Sequence, residues 1–452
     1  MAVKGLPPRI EMPRALFMTR FMLHPDKLLD TAYRDHGDFF HFVTPLDRTM
    51  CVTANPETIK QVFRGDPEVF RAGEGNATLG PLVGPHSTLL LDGAEHLRHR
   101  KLLLPPFHGE RMREYGELMA EVAERHVSAW PTDEPFSAIE STQAITLEVI
   151  QRAVFGIEDG RRLDHVASLL RAVLDPMASR WQMLVLMLAP SSWGRRSPWG
   201  RFRERVRIAD EAIYEEIRAR RADPAAAERG DVMSLLLQAR DEDDEPLSDR
   251  ELRDELVTLL VAGHETTATS LAWTLERITR HPEVLARLEQ EPDGEYLDAV
   301  IKESLRLRPV VPAVARKLAE PVELGGYELP AGVFIVPSIY LTHRRPDIYP
   351  DPLAFKPERF LPTRPDAESS NGTRGGMPRG GSQPSNFEYL PFGGGVRRCL
   401  GASFAQFEMK IVLGTIMRHA RVRAPRSRAE SVTRRSITFA PSSGGRIVAS
   451  PA

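Results

Sequence analysis

The longest run of helical hydrophobic spacing begins at Ser248. Ser248-Asp-Arg-Glu251 is a capping box, with acids suited to a first turn. Apolar positions continue to about Arg280, and His281-Pro282 stops them. The spacing predicts a rod of roughly 48 Å at 1.5 Å per residue, long enough to cross the whole molecule. From His96 to about Arg280 the pattern is mainly helical, and a second apolar run from Leu400 to His419 reads as another helix. Alternation at Asp38 to Val43 and Thr49 to Thr53 predicts a hairpin around the Pro45-Leu-Asp-Arg48 turn. Asn55-Pro-Glu57 starts a short helix through Arg64. Val322 to Tyr340 is strand-rich, with turns at Gly325-Gly326 and Pro330-Ala-Gly332. Asp366 to Ser385, rich in Gly, Ser, Pro and Asn, reads as a flexible surface loop without chemistry. No internal repeat is evident.

Composition changes this picture little. By length alone, 452 residues would suggest several domains. No linker divides the chain into comparable pieces, so one large catalytic unit over residues 1–452 with a minor lobe is expected. The 42% apolar content supports a sizeable core, and the net charge of −2 gives no hint of nucleic acid. Two cysteines, Cys51 and Cys399, cannot build a disulfide framework or a structural zinc site. Cys51, in a strand-like stretch, reads as an inert core thiol. The start, Met1-Ala-Val-Lys-Gly-Leu-Pro-Pro-Arg9, has neither a signal peptide nor a spanning helix. A cytoplasmic protein without a membrane anchor is expected.

The chemistry concentrates in Phe392-Gly-Gly-Gly-Val-Arg-Arg-Cys399-Leu-Gly401. Glycines around the cysteine let the backbone pass close to a flat ligand. Amides at the start of the following helix lower a thiol's pKa and temper the electron donation of its sulfur. A haem iron with one thiolate ligand needs that chemistry. The long helix carries Ala262-Gly-His-Glu265-Thr266-Thr267 at its middle. Glycine weakens a helix interior by about 1 kcal/mol. A Thr266 hydroxyl bonded to the carbonyl of Ala262 would open a local bulge, with the Glu265 carboxylate beside it. The same segment also suits a packing face of small residues. Glu303-Ser-Leu-Arg306 puts an acid and a base on one helix face. Taken alone this signal is worth little, since Glu204 to Arg207 has the same spacing. His96 and Arg100 lie four apart at a helix start.

These motifs, in this order, resemble the cytochrome P450 family from about Tyr33 to Pro441. Phe392, Gly395, Arg397, Cys399 and Gly401 fit its cysteine signature. The resemblance implies a mainly α fold, with a large helical lobe, a long central helix and a small β-rich lobe. It implies haem b with the Cys399 thiolate as proximal ligand, and proton delivery to dioxygen by Thr266 with Glu265. His96, Arg100, Arg316 and Arg397 match propionate-binding positions. Glu303, Arg306 and Arg359 match a buried ionic triad with a structural role. Arg398, Arg98 and Lys101 would face the proximal surface and attract an acidic electron donor. Arg397 stands where many soluble bacterial members carry His. With Leu305-Arg-Leu-Arg-Pro309 and Pro357-Glu-Arg-Phe360, this looks closer to fatty-acid and other lipophile hydroxylases than to camphor-type enzymes.

The resemblance places the substrate pocket at Ser87, Thr88 and Leu89, at Val261 and Ala262, at Val311, Ala313 and Val314, and at the turn of Ser436 and Ile437. These small or aliphatic walls suit an apolar substrate such as a fatty acid, terpenoid or polyketide. Trp181 to Leu188 reads equally as a lid or as a core segment. Arg48 is a candidate anchor for an anionic substrate end, as well as a plain solvated turn residue. No flavin or ferredoxin sequence follows Ala452, so a separate ferredoxin or flavodoxin with its reductase is expected. A peroxide-driven relative would ordinarily lack the acid–threonine pair. A non-catalytic haem sensor or electron carrier would not need it.

Overall fold

The computed structural model describes residues 3–44, 47–107, 111–157, 197–362, 384–425 and 428–452, with a few single positions between 165 and 194. The supposed lid, apart from Val185, and the 366–383 part of the glycine-rich tract lie outside the described residues, as do Pro45 and Leu46 of the first turn.

The central helix is Asp249–Ile278. Ser248 accepts the Glu251 amide while the Glu251 carboxylate accepts the Ser248 amide, so the capping box forms in both directions. Its 30 residues span about 45 Å. From Leu252 onward nearly every position is buried, including Arg253, Asp254 and Glu255, whereas Ala262 is exposed and Val261, Gly263, Glu265 and Thr266 are half-buried. The helix therefore crosses the core and opens only at its middle. It packs on the helix Ala138–Phe155, where a side chain at Gly263 would sit 3.1 Å from Ile150. Close helix approach thus explains the glycine. Thr142 Oγ1 donates to the Ala268 carbonyl at 2.9 Å, and Thr146 Oγ1 to that of His264 at 3.2 Å, which joins the two helices by polar contacts. The expected bulge does not form. The helix is continuous through Thr266, because a carbonyl has two lone pairs and can accept the hydroxyl without losing its backbone partner.

The expected hairpin is Phe39–Val43 with Thr49–Thr53, antiparallel. It belongs to a five-stranded sheet that continues through Phe334–Pro337, Arg316–Leu318 and Phe70–Arg71. The strand Phe334–Pro337 runs parallel to Thr49–Thr53 and antiparallel to Arg316–Leu318. Tyr340 is not in a strand but in the short helix Ile339–Thr342, capped by Ser338. A separate hairpin near the end of the chain pairs Val432–Arg435 with Thr438–Pro441. Trp273 of the central helix is buried against it and donates from Nε1 to the Phe439 carbonyl at 3.0 Å. A large apolar cluster lies among the helices, and two smaller ones lie on the faces of the five-stranded sheet. Among the described residues, no helix is long and apolar enough to cross a membrane.

Candidate active site

The helix Ala402–His419 begins just after Cys399. The loop before it lies on the helix Pro56–Arg64. Gly395 has φ +66°, and a side chain there would come within 2.2 Å of the Phe63 carbonyl. One at Gly394 would strike the Phe63 ring. Only glycine permits this approach. The Cys399 amide donates to the Phe392 carbonyl at 2.9 Å, and the Gly401 amide donates to the sulfur. Burial raises the thiol pKa, opposed by the Gly401 amide and the charges of Arg100 and Arg398. Cys399 is nevertheless exposed. A group both dehydrated and open faces an internal cleft rather than the outer surface.

His343, fully buried at the end of the short helix Ile339–Thr342, braces this loop. Its Nε2 accepts the Leu390 amide at 2.7 Å, and its Nδ1 donates to the Arg306 carbonyl at 3.1 Å. Burial and the Arg306 charge hold its pKa well below the ordinary value, so the ring is neutral, as that bonding requires. Arg306 in turn donates from Nε to Glu303 at 2.6 Å, and to the carbonyls of His343, Pro352 and Ala354. Arg359 approaches Glu303 at 3.5 Å. Glu303 and Arg306 are both inaccessible to water. The contrast with Glu204 and Arg207, an exposed pair at the same spacing, is complete. His343 was missed in the sequence because one histidine after a strand carries no periodic or spacing signal.

Four basic groups gather beside the cysteine loop. Burial and the charges of Arg397, Arg100 and Arg316 push His96 down to about 3. Burial and the Arg397 charge push Arg316 down to about 10. Burial also lowers Arg100, with the Cys399 charge acting to raise it. Among the described residues, neither Arg100 nor Arg316 has a carboxylate within 4 Å; Arg316 donates to the Ala315 carbonyl and lies 5.9 Å from the Phe63 ring. Arg397 is committed elsewhere. It donates to the carbonyls of Thr88, at 2.9 Å, and Leu91, and to Asp92 Oδ1 at 2.6 Å. The other bonds of Asp92 are to the amides of Ala72, Gly73 and Glu74. Asp92 was another residue that no sequence signal marked.

On the facing side, Thr266 Oγ1 donates to the Ala262 carbonyl at 2.6 Å, as its spacing predicts. The Glu265 carboxylate is held by residues outside the central helix. It accepts from Gln143 Nε2 at 2.6 Å and lies 3.7 Å from Arg435 Nη1. Ser87 and Thr88 are buried and stitched to the central helix, through Ser87 Oγ to Thr258 Oγ1 at 2.6 Å and the Thr88 amide to Glu255 at 2.8 Å. Leu89, Val311, Ala313 and Val314 are half-buried, Ser436 turns at φ +53°, and Ile437 is exposed. Arg48 is exposed, with its guanidinium 5.6 Å from the Phe334 ring. The proximal basic patch needs correction. Arg98 is paired with Asp241 and Glu251, and Lys101 with Glu242, so acids of the 241–251 segment neutralise both. Arg398 is exposed and has no ion pair among the described residues.

The cytochrome P450 family model matches residues 7–445. The chain belongs to the cytochrome P450 family. Cytochrome P450 135B1 of Mycobacterium tuberculosis is 40% identical over 98% of this chain and 91% of its own length. Cytochrome P450 138 of the same species is 37% identical, covering 99% and 96%. These names give the family and no substrate. Among solved structures, the haem domain of cytochrome P450DA superposes with TM-score 0.84 at 24% identity, covering 100% of this chain and 98% of that one. Retinoic-acid-bound cyanobacterial CYP120A1 gives 0.81 at 23% identity, covering 99% and 100%. The chain is thus a P450 monooxygenase with the P450 fold, and it binds haem through the Cys399 thiolate.

The residues present fit that group. The open sulfur lies beside the buried Arg316 and the half-buried Arg100 and Arg397, whose charges exceed that of their single carboxylate, Asp92. A dehydrated surplus of positive charge is costly unless anions arrive, and a porphyrin brings two propionates. Arg100 and Arg316 have donors free for them.

Proposed function

We propose that this monooxygenase hydroxylates an apolar organic substrate, of the fatty-acid, terpenoid or polyketide kind. Its electrons would come from NADPH through a separate ferredoxin or flavodoxin and its reductase. The whole chain would act as one catalytic unit, in the cytoplasm where those carriers work. When bound, haem supplies the redox chemistry that activates dioxygen and places one of its atoms in the substrate.

The chain's own residues would divide the remaining work. Cys399 holds the metal, with the Gly401 amide restraining its donation of electrons. His96, Arg100 and Arg316 bind the propionates, and Arg397 holds the 88–92 segment in place for them. Thr266 keeps a proton at Oγ1, parked on the Ala262 carbonyl until substrate and oxygen compete for it. Glu265 resupplies that proton once its contacts with Gln143 and Arg435 loosen.

The observation that carries this reading is the opening of the central helix at Ala262, beside Thr266, on an otherwise buried rod. A proton-holding hydroxyl next to small apolar residues suits oxidation of a hydrocarbon group and serves no purpose in simple electron transfer. The test is a panel of lipophilic ligands scored by the haem spin-state shift, followed by turnover with ferredoxin, reductase and NADPH. Product dependent on NADPH is expected. Turnover with hydrogen peroxide alone, at an equal rate, would move the assignment to a peroxygenase.

A further inference from the structure

The hairpin Val432–Arg435/Thr438–Pro441 carries two adjacent arginines with different fates. Arg435 meets Glu265, next to Thr266, so this hairpin borders the open middle of the central helix. Neighbouring strand residues point to opposite faces, and Arg434 turns the other way, toward the helix Arg14–Leu23. Its guanidinium lies 4.1 Å from the Phe21 ring. Its Nε donates to the Ser436 carbonyl at 2.7 Å, which folds the side chain back over the hairpin turn. Among the described residues no carboxylate lies within 4 Å of it, and its two terminal nitrogens have no hydrogen-bond partner. Those nitrogens are not sealed off, because neither is among the fully buried unsatisfied atoms. Burial holds the group down to about 10, so it is a cation partly stripped of water.

The surroundings are apolar. Phe21 stacks on Phe17 at 5.7 Å, and both rings approach Phe42 of the sheet hairpin, Phe17 at 4.8 Å. Ile437, at the turn itself, is 45% exposed. A guanidinium with its stem locked and its fork free is preorganised for a planar anion. The turn it covers, Ser436–Ile437, directly follows Arg435, the residue that meets Glu265.

We propose that Arg434 binds the carboxylate of a long-chain carboxylic acid, whose apolar tail passes the Ser436–Ile437 turn toward Thr266. This rests on the apolar-substrate reading above and narrows it to acids. It also displaces Arg48 as the anchor. Arg48 is exposed, and a contact open to water is worth little.

The test uses the haem-loaded enzyme and three probes of equal chain length: palmitate, methyl palmitate and hexadecyltrimethylammonium. Binding is read by the spin-state shift and, independently, by equilibrium dialysis. Arg434→Gln should weaken palmitate about tenfold, equivalent to ~1.4 kcal/mol, leave the ester within twofold, and improve the ammonium probe. Arg434→Lys should recover part of the loss, and Arg48→Gln should change palmitate less than Arg434→Gln does. The reduced, CO-bound spectrum of each variant certifies an intact thiolate site. Equal losses for acid and ester would overturn the proposal. So would an ester that binds wild type while palmitate does not, although the apolar-substrate reading would then stand. If no probe binds and neutral terpenoid or polyketide compounds do not bind either, both readings fall.

Discussion

The cysteine loop and the hairpin mouth are built to different tolerances. The loop is fixed from every side: by Phe63 below its glycines, by His343 at the Leu390 amide, and through His343 by Arg306 and Glu303. All of these groups are buried, and most of their donors and acceptors are used. The mouth rests on a few aromatic rings, one bonded guanidinium and an exposed Ile437. A metal–sulfur bond tolerates little displacement, so the residues that hold it must be over-determined. A surface that admits a hydrocarbon needs area and one or two polar groups to set orientation. Damage to the first region should therefore be global, and damage to the second selective.

The largest effect should come from Cys399→His. The reduced, CO-bound wild type should show the far red-shifted Soret band of a thiolate ligand, and the variant should lose it together with turnover. A band that stays in place would break the comparison at its root. Next is Arg306→Ala, which strands a buried carboxylate and should cost about 3–5 kcal/mol of stability with poor haem retention. Arg207→Ala removes a pair at the same spacing but in water, so its thermal denaturation midpoint should stay close to that of wild type. If the two cost the same, burial is not what gives the Glu303–Arg306 pair its importance. Thr266→Ala should bind haem and substrate normally and yet divert NADPH equivalents to released hydrogen peroxide. Product formed per NADPH should fall by roughly an order of magnitude or more, and unchanged coupling would move the proton supply elsewhere.

The smallest effect concerns pH and the cap of the central helix. Burial acts to raise Glu251, but the Ser248 amide and hydroxyl, His99 and Arg98 outweigh it and bring it to about 2, below the ordinary 4.5. A carboxylate depressed in the folded state contributes stability above 4.5 and loses that contribution as pH falls toward 2. Denaturant titrations should show this decline in wild type and a shallower one in Glu251→Gln. Parallel curves would mean that the cap carries no net electrostatic stabilisation.

Much of this could be read from residue order alone, because its causes are local. The capping box at Ser248, the stop before Pro282, the Asn55 cap, the first hairpin and the Thr266-to-Ala262 bond all arise within a few residues of chain, where spacing and side-chain chemistry decide the outcome. The cysteine signature belongs to the same class, since its glycines and its sulfur are neighbours. Other features needed the packed molecule. Nothing around His343 or Asp92 in the sequence indicates that one braces Leu390 and the other neutralises Arg397, for those partners lie 47 and 305 residues away. The need for glycine at 263 depends on how closely the central helix approaches Ile150 of the helix packed against it. The pairing of Arg98 and Lys101 with acids near the start of the central helix removed most of the supposed basic patch, and burial alone separates the Glu303–Arg306 pair from its exposed counterpart. Dehydration and charge compensation are properties of a site assembled from distant segments, so only the tertiary structure could decide which charges matter and which are merely solvated.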